Sequence, residues 1–136
     1  MALDDDRPGT LYGEGARALQ DESDSRRLAD RLAAVTLHRE LHHRDIAIVA
    51  DQAAVWVSTV DADGWPDVSY KGGDPGFVQV VSPSELRMPI FNGNGMWRTL
   101  GIIRDNGRVA CCSWTSNDRG GYECTEPARC IRISLL

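Results

Sequence analysis

The chain has 136 residues, with 15 Lys and Arg against 20 Asp and Glu and a net charge of -5. That length suits one domain with a real core but is small for an enzyme enclosing a cofactor alone, a difficulty that dimerisation solves. The acidic balance and the lack of a basic stripe argue against a nucleic-acid partner, and no apolar run reaches the ~20 residues that cross a bilayer. The acidic start, MALDDDRPG, lacks the basic-then-apolar order of a signal peptide, so a cytoplasmic location is expected.

Residues 1–23 mix Asp, Gly and Arg without sustained periodicity and read as an extended arm. From Asp24 the pattern becomes helical. Asp24 or Ser25 is placed to cap RRLADRLAAV, whose Leu28, Leu32 and Val35 form one apolar stripe expected to face a core. A second helix is expected from about Glu40 to Asp51, with Ile46, Val49 and Ala53 on one side. His38, His42 and His43 have spacings that bring two imidazoles to one helix face, but no HExxH arrangement or matching cysteine makes them a metal site, and a solvated face is the expectation.

The period then shifts to two. Ala54 to Val60, AVWVSTV, reads as a strand, and Asp61-Ala62-Asp63-Gly64 as a turn returning the chain into Pro66 to Lys71. Phe77 to Val81 and Leu86 to Pro89 read as further strands around a turn at Ser82 to Glu85. An antiparallel meander of this size usually curls into a small barrel, with the helices at its N-terminal side, giving a mainly β, α+β class.

Chemistry concentrates in Ser69 to Phe77, SYKGGDPGF, where one cation, Lys71, stands at a strand end before a glycine- and proline-constrained loop. A lysine beside exposed amides suits an anion. Downstream, FNGNGMWRTLGII leads into a short helix from about Gly95 to Arg104, and helix N-termini carry unpaired amides and partial positive charge. Arg98 and Thr99 in its first turn therefore form a second anion element. Two such elements in one small meander read as one site.

The spaced motifs STVDADGWPDVSYKGGDPGFVQVV and GNGMWRTLG, with YGEGARALQDESDSRRLADRL before them, resemble the pyridoxamine 5'-phosphate oxidase-like family over residues 12 to 110. The resemblance implies an antiparallel split β-barrel that dimerises and binds FMN in clefts at the subunit interface, with a deazaflavin as the alternative cofactor. It implies that Lys71, with Ser69 and Tyr70 on the same segment, contacts the flavin or its phosphate. Arg98 and Thr99 supply further phosphate contacts, with Asn94, Met96 and Trp97 lining the approach. The implied activity is that of a flavin-dependent oxidoreductase on a small-molecule substrate, and no residue is identifiable as a general acid or base. The alternatives are a non-catalytic flavin- or heme-binding module and a non-functional product. Gln79 departs from a basic residue common in the family, and Asn106-Gly107 from Asn-Pro.

Family likeness stops at Ala110. All four cysteines, Cys111, Cys112, Cys124 and Cys130, fall after it, apolar alternation is lost, and no strand is expected there. Their irregular gaps lack the paired CxxC spacing of a structural zinc site. Residues 111–136 read instead as a frameshifted tail after a partial barrel domain at 24–110. If one nucleotide is missing before the Ala110 codon, the genetic code forces Asp where Thr115 stands and leaves Arg as the only sense outcome at Asp118 and Glu123. On that reading the barrel is incomplete at its C-terminus, with an open edge, a doubtful dimer and weak flavin retention. An early stop in the coding DNA one base away would contradict it.

Overall fold

The computed structural model describes residues 11–37, 39–116, 122–125 and 132–135. The chain divides after residue 38 into two compact units.

The first unit is a helical hairpin of α1 (Glu14–Glu22) and α2 (Arg26–Thr36). The expectation of an extended arm is therefore corrected for residues 14–22. Periodicity missed α1 because local polar pairing, rather than a buried stripe, holds it. The Arg17 guanidinium lies 4.7 Å over the Tyr12 ring and donates to Asp30 at 2.7 Å, while the Tyr12 hydroxyl donates to the Ala29 carbonyl at 3.0 Å. Asp24 turns the chain at φ 49, so Ser25 takes the N-cap position of α2, without a side-chain capping bond. The stripe on α2 is also a correction: no α2 residue is buried, and Val35 is 77% exposed.

The second unit holds α3 (His43–Ala50), β1 (Ala54–Val60), β2 (Pro66–Gly72), β3 (Gln79–Ser82), β4 (Glu85–Met88), α4 (Arg98–Asn106), β5 (Val109–Ser116), β6 (Tyr122–Thr125) and β7 (Arg132–Leu135). Helices and sheets together make an α+β protein. One sheet has the order β2-β1-β5-β6 and is antiparallel throughout; the other has the order β3-β4-β7, with β4 and β7 parallel. These pairings among the described residues leave two sheets and no closed barrel. His42 caps α3 and receives Asp45 on its backbone amide at 2.8 Å, which gives it a local structural role; His38 lies outside the described residues.

The hairpin β1–β2 forms as its turn chemistry dictates. Asp61 Oδ1 accepts from the Asp63 and Trp65 amides at 3.1 and 2.9 Å, and Gly64 adopts φ 87, where a side chain would be strained. Alternation along β1 then buries Val55, Val57 and Thr59 and leaves Trp56 and Val60 outside. The core gathers Val55 and Val57 with Val49 of α3, Val78, and Leu86 and Met88 of β4. Leu41 joins it, held where its amide donates to the Pro83 carbonyl at 2.7 Å.

β5, β6 and β7 overturn the expectation of no strands after Ala110. The pairing of Val57 with Cys111 and Val55 with Ser113 lays β5 along the free edge of β1. Ladder bonds come from the backbone and do not require large side chains. Val109 and Cys111 pack against the core, and Ser113 is buried on the same side. A cysteine serves there as a small hydrophobe. β1 therefore has no open edge.

Burial pushes the Cys111 thiol up to about 12 from an ordinary 9.0, because the thiolate would lose its hydration. In native protein at mildly alkaline pH, iodoacetamide should therefore leave the Cys111 peptide unlabelled by mass spectrometry, and urea should expose it. The sign for folding follows from the same shift: the unfolded thiol ionises first. Stability from the neutral thiol is complete below pH 9 and declines as pH rises towards 12. Labelling of native protein at the denatured rate would contradict the burial.

Candidate functional site

The register of the hairpin selects the side chains that build the site. Val55 pairs with Lys71, Val57 with Ser69 and Thr59 with Asp67, so these three β2 residues share the face of β1 that is buried. Tyr70 lies on the opposite face, where its ring meets Trp56 edge-on at 5.4 Å. β2 is an edge strand, which leaves room beside it for a cleft. The Lys71 ammonium donates to Ser69 Oγ at 2.8 Å, and among the described residues no carboxylate neutralises it.

The glycine-rich loop after Lys71 serves the fold more than a ligand. The Gly73 amide donates to Ala53 O at 2.9 Å, the Gly76 amide to Gln52 O at 3.2 Å and the Phe77 amide to Asp74 O at 2.9 Å. The expectation of freely exposed amides beside Lys71 is corrected there. Gly76 has φ 84, and a Cβ on Gly73 would stand 2.7 Å from Phe77 Cβ. These glycines let the loop turn and let Phe77 reach the core.

Open amides come instead from α4. Asn94 Oδ1 accepts from the Met96 amide at 3.0 Å, an Asx turn that leads to Trp97 in the left-handed region at φ 52. Trp97 occupies the N-cap without a side-chain capping bond, and the first helical bond runs from Gly101 N to Trp97 O at 2.8 Å. The preceding helical amides thus present the partial positive charge of an uncapped N-terminus. The helix starts at Arg98 rather than Gly95. Thr99 is buried, Ile102 anchors the helix, and Asn106 Nδ2 ties its far end to Val60 O at 2.6 Å.

Between these elements lies a cleft of about 430 Å³, in the range of small-molecule sites. Ser69, Tyr70, Lys71, Asn94, Met96, Trp97, Arg98 and Thr99 all line it. Residues more than twenty positions apart are therefore brought together. Roles within the group differ: Asn94 shapes the turn, Ser69 holds Lys71, and Met96 and Trp97 form an exposed apolar lip with Phe91.

Arg98 is not a free cation. Its Nε donates to Asp67 Oδ1 at 3.0 Å, and its Nη2 lies 3.7 Å from Asp61 Oδ2. Asp67 and Phe91 are among the lining residues that sequence reasoning missed. For Asp67 a signal was available, since strand alternation puts positions 67, 69 and 71 on one face.

No family model matches the chain, and neither the curated proteins nor the solved structures yield a match.

Gly73→Ala should cost about 1–3 kcal/mol in urea unfolding, because Phe77 Cβ has no room to yield. Gly93→Ala, with nothing within 4 Å of the added carbon, should stay within about 0.5 kcal/mol. Equal effects would refute the packing role of Gly73.

Proposed function

We propose that the chain is an FMN-binding protein of the pyridoxamine 5'-phosphate oxidase-like type, a flavin-dependent oxidoreductase built on a split β-barrel and acting on a small-molecule substrate. The observation that carries this reading is the cleft itself. A lysine with no carboxylate partner among the described residues, an uncapped helix N-terminus and an apolar lip line a single concavity of about 430 Å³. Such a set suits a planar ring system carrying a phosphate dianion, because cation and amides meet the anion while aromatic surface covers the ring.

In the proposed complex Lys71 gives a point charge to the phosphate, with Ser69 holding the ammonium against β2. The amides of Arg98 and Thr99 face the same anion, and Trp97 and Met96 exclude water from one side of the ring. FMN, when bound, supplies the hydride or electron transfer, and a deazaflavin would fill the same role. A second copy of the chain is the proposed partner. The outward face of the β1–β2 hairpin supports it, since Trp56, Val60, Val68 and Tyr70 are all exposed there.

One observation favours a second reading, a flavin- or heme-binding module without turnover. The carboxylate that lines the cleft, Asp67, is committed to Arg98, and no histidine, glutamate or cysteine lines it among the described residues. Reduction of the bound flavin by NAD(P)H followed by reoxidation with substrate separates the enzyme from the module.

Flavin fluorescence should report FMN binding tighter than riboflavin, in a protein that sediments as a dimer. Lys71→Ala should weaken FMN by about tenfold or more, the value of one charged hydrogen bond, while riboflavin affinity barely changes. Equal affinities for FMN and riboflavin in the wild type would contradict the phosphate cradle.

A further inference from the structure

Arg98 makes its two carboxylate contacts along one edge. Nε meets Asp67 at 3.0 Å and Nη2 lies 3.7 Å from Asp61, on the turn between β1 and β2. A guanidinium has five N–H donors in a rigid fork, so Nη1 remains for another acceptor. Accessibility follows the same division. The Asp67 and Asp61 side chains are 22% and 28% exposed, whereas Arg98 is 53% exposed. The carboxylates sit inward and the arginine outward, in a cleft that already holds Lys71 and the α4 N-terminus.

We propose that Asp67 is a positioning residue that fixes Arg98 to receive the phosphate of a phosphomonoester ligand. The inference rests on reading the cleft as a phosphate site, but not on the ligand being a flavin. Two residues of the β1–β2 hairpin and one from α4 make one unit: Asp61 and Asp67 restrain the fork, and Arg98 in the first turn of α4 presents its remaining donors. An unrestrained arginine would have to lose its rotamer freedom when the ligand binds. The carboxylates have removed part of that freedom beforehand. They also carry negative charge, which opposes a phosphate, so positioning and repulsion predict opposite signs when Asp67 is replaced.

The test uses the full chain with FMN, riboflavin and phenyl phosphate as probes, titrated into wild type, Asp67→Ala, Asp67→Asn, Arg98→Met and the Asp67→Ala/Arg98→Met double variant. Positioning predicts that Asp67→Ala weakens FMN and phenyl phosphate by about tenfold, the equivalent of one rotamer-rich side chain left free. Asp67→Asn should recover part of the loss, because its amide oxygen still accepts from Nε. Riboflavin should be unaffected, and the double variant should bind like Arg98→Met alone. Tighter phosphate binding in both Asp67 variants would overturn the proposal in favour of repulsion. A loss that persists undiminished in the Arg98→Met background, or that strikes riboflavin equally, would reduce Asp67 to a structural role and overturn it as well. Binding of phenyl phosphate without FMN, with the same variant pattern, would support the positioning role while rejecting the flavin. Binding of no phosphate by the wild type would reject both.

Discussion

The register between β1 and β2 is the constraint on which the rest of the second unit depends. With Val57 opposite Ser69, the residues Asp67, Ser69 and Lys71 lie on the covered face and Val68 and Tyr70 on the outer one. Sliding either strand by one residue would exchange the two sets and turn the Asp67, Ser69 and Lys71 row to the outer face. Asp61 guards against that slip, since one carboxylate oxygen accepts two turn amides and its partner approaches Arg98. The same residue thus sets the hairpin and touches the helix that completes the site.

Placement of the charges follows from this frame. β1 is paired along both edges, by β2 and β5, which holds β2 and its side chains in a fixed register. Lys71 projects from the edge strand and donates to Ser69, while Arg98 is bound to two carboxylates. These cations are physically different donors. One is an uncompensated point charge, and the other is an oriented fork whose charge is already largely balanced.

Much of this was legible in the residues because local rules act alone there. β1 spans Ala54–Val60 as its alternation and β-branched content predict, and the Asp61 to Gly64 turn has the chemistry its residues imply. That the Ser69 to Gly72 segment and the start of α4 meet at one cleft was legible from the cations that each carries, Lys71 and Arg98. Other features depend on partners far along the chain. α1 is held by Tyr12, Arg17 and Asp30 rather than by an apolar stripe, so a periodicity reading passes over it. β5 lacks a clean apolar alternation and becomes a strand because the edge of β1 supplies its hydrogen bonds. The glycines after Lys71 invite a ligand-binding reading, yet Ala53, Gln52 and Phe77 account for two of them. No single-residue signal distinguishes those uses.

The central claim is that β2 and the start of α4 form one binding surface for a phosphate-bearing flavin. An amide-resolved NMR titration of the full chain with FMN tests it most directly. The account predicts saturable shifts centred on residues 67–72 and 89–100. Shifts centred elsewhere, or none at saturating FMN, would contradict it.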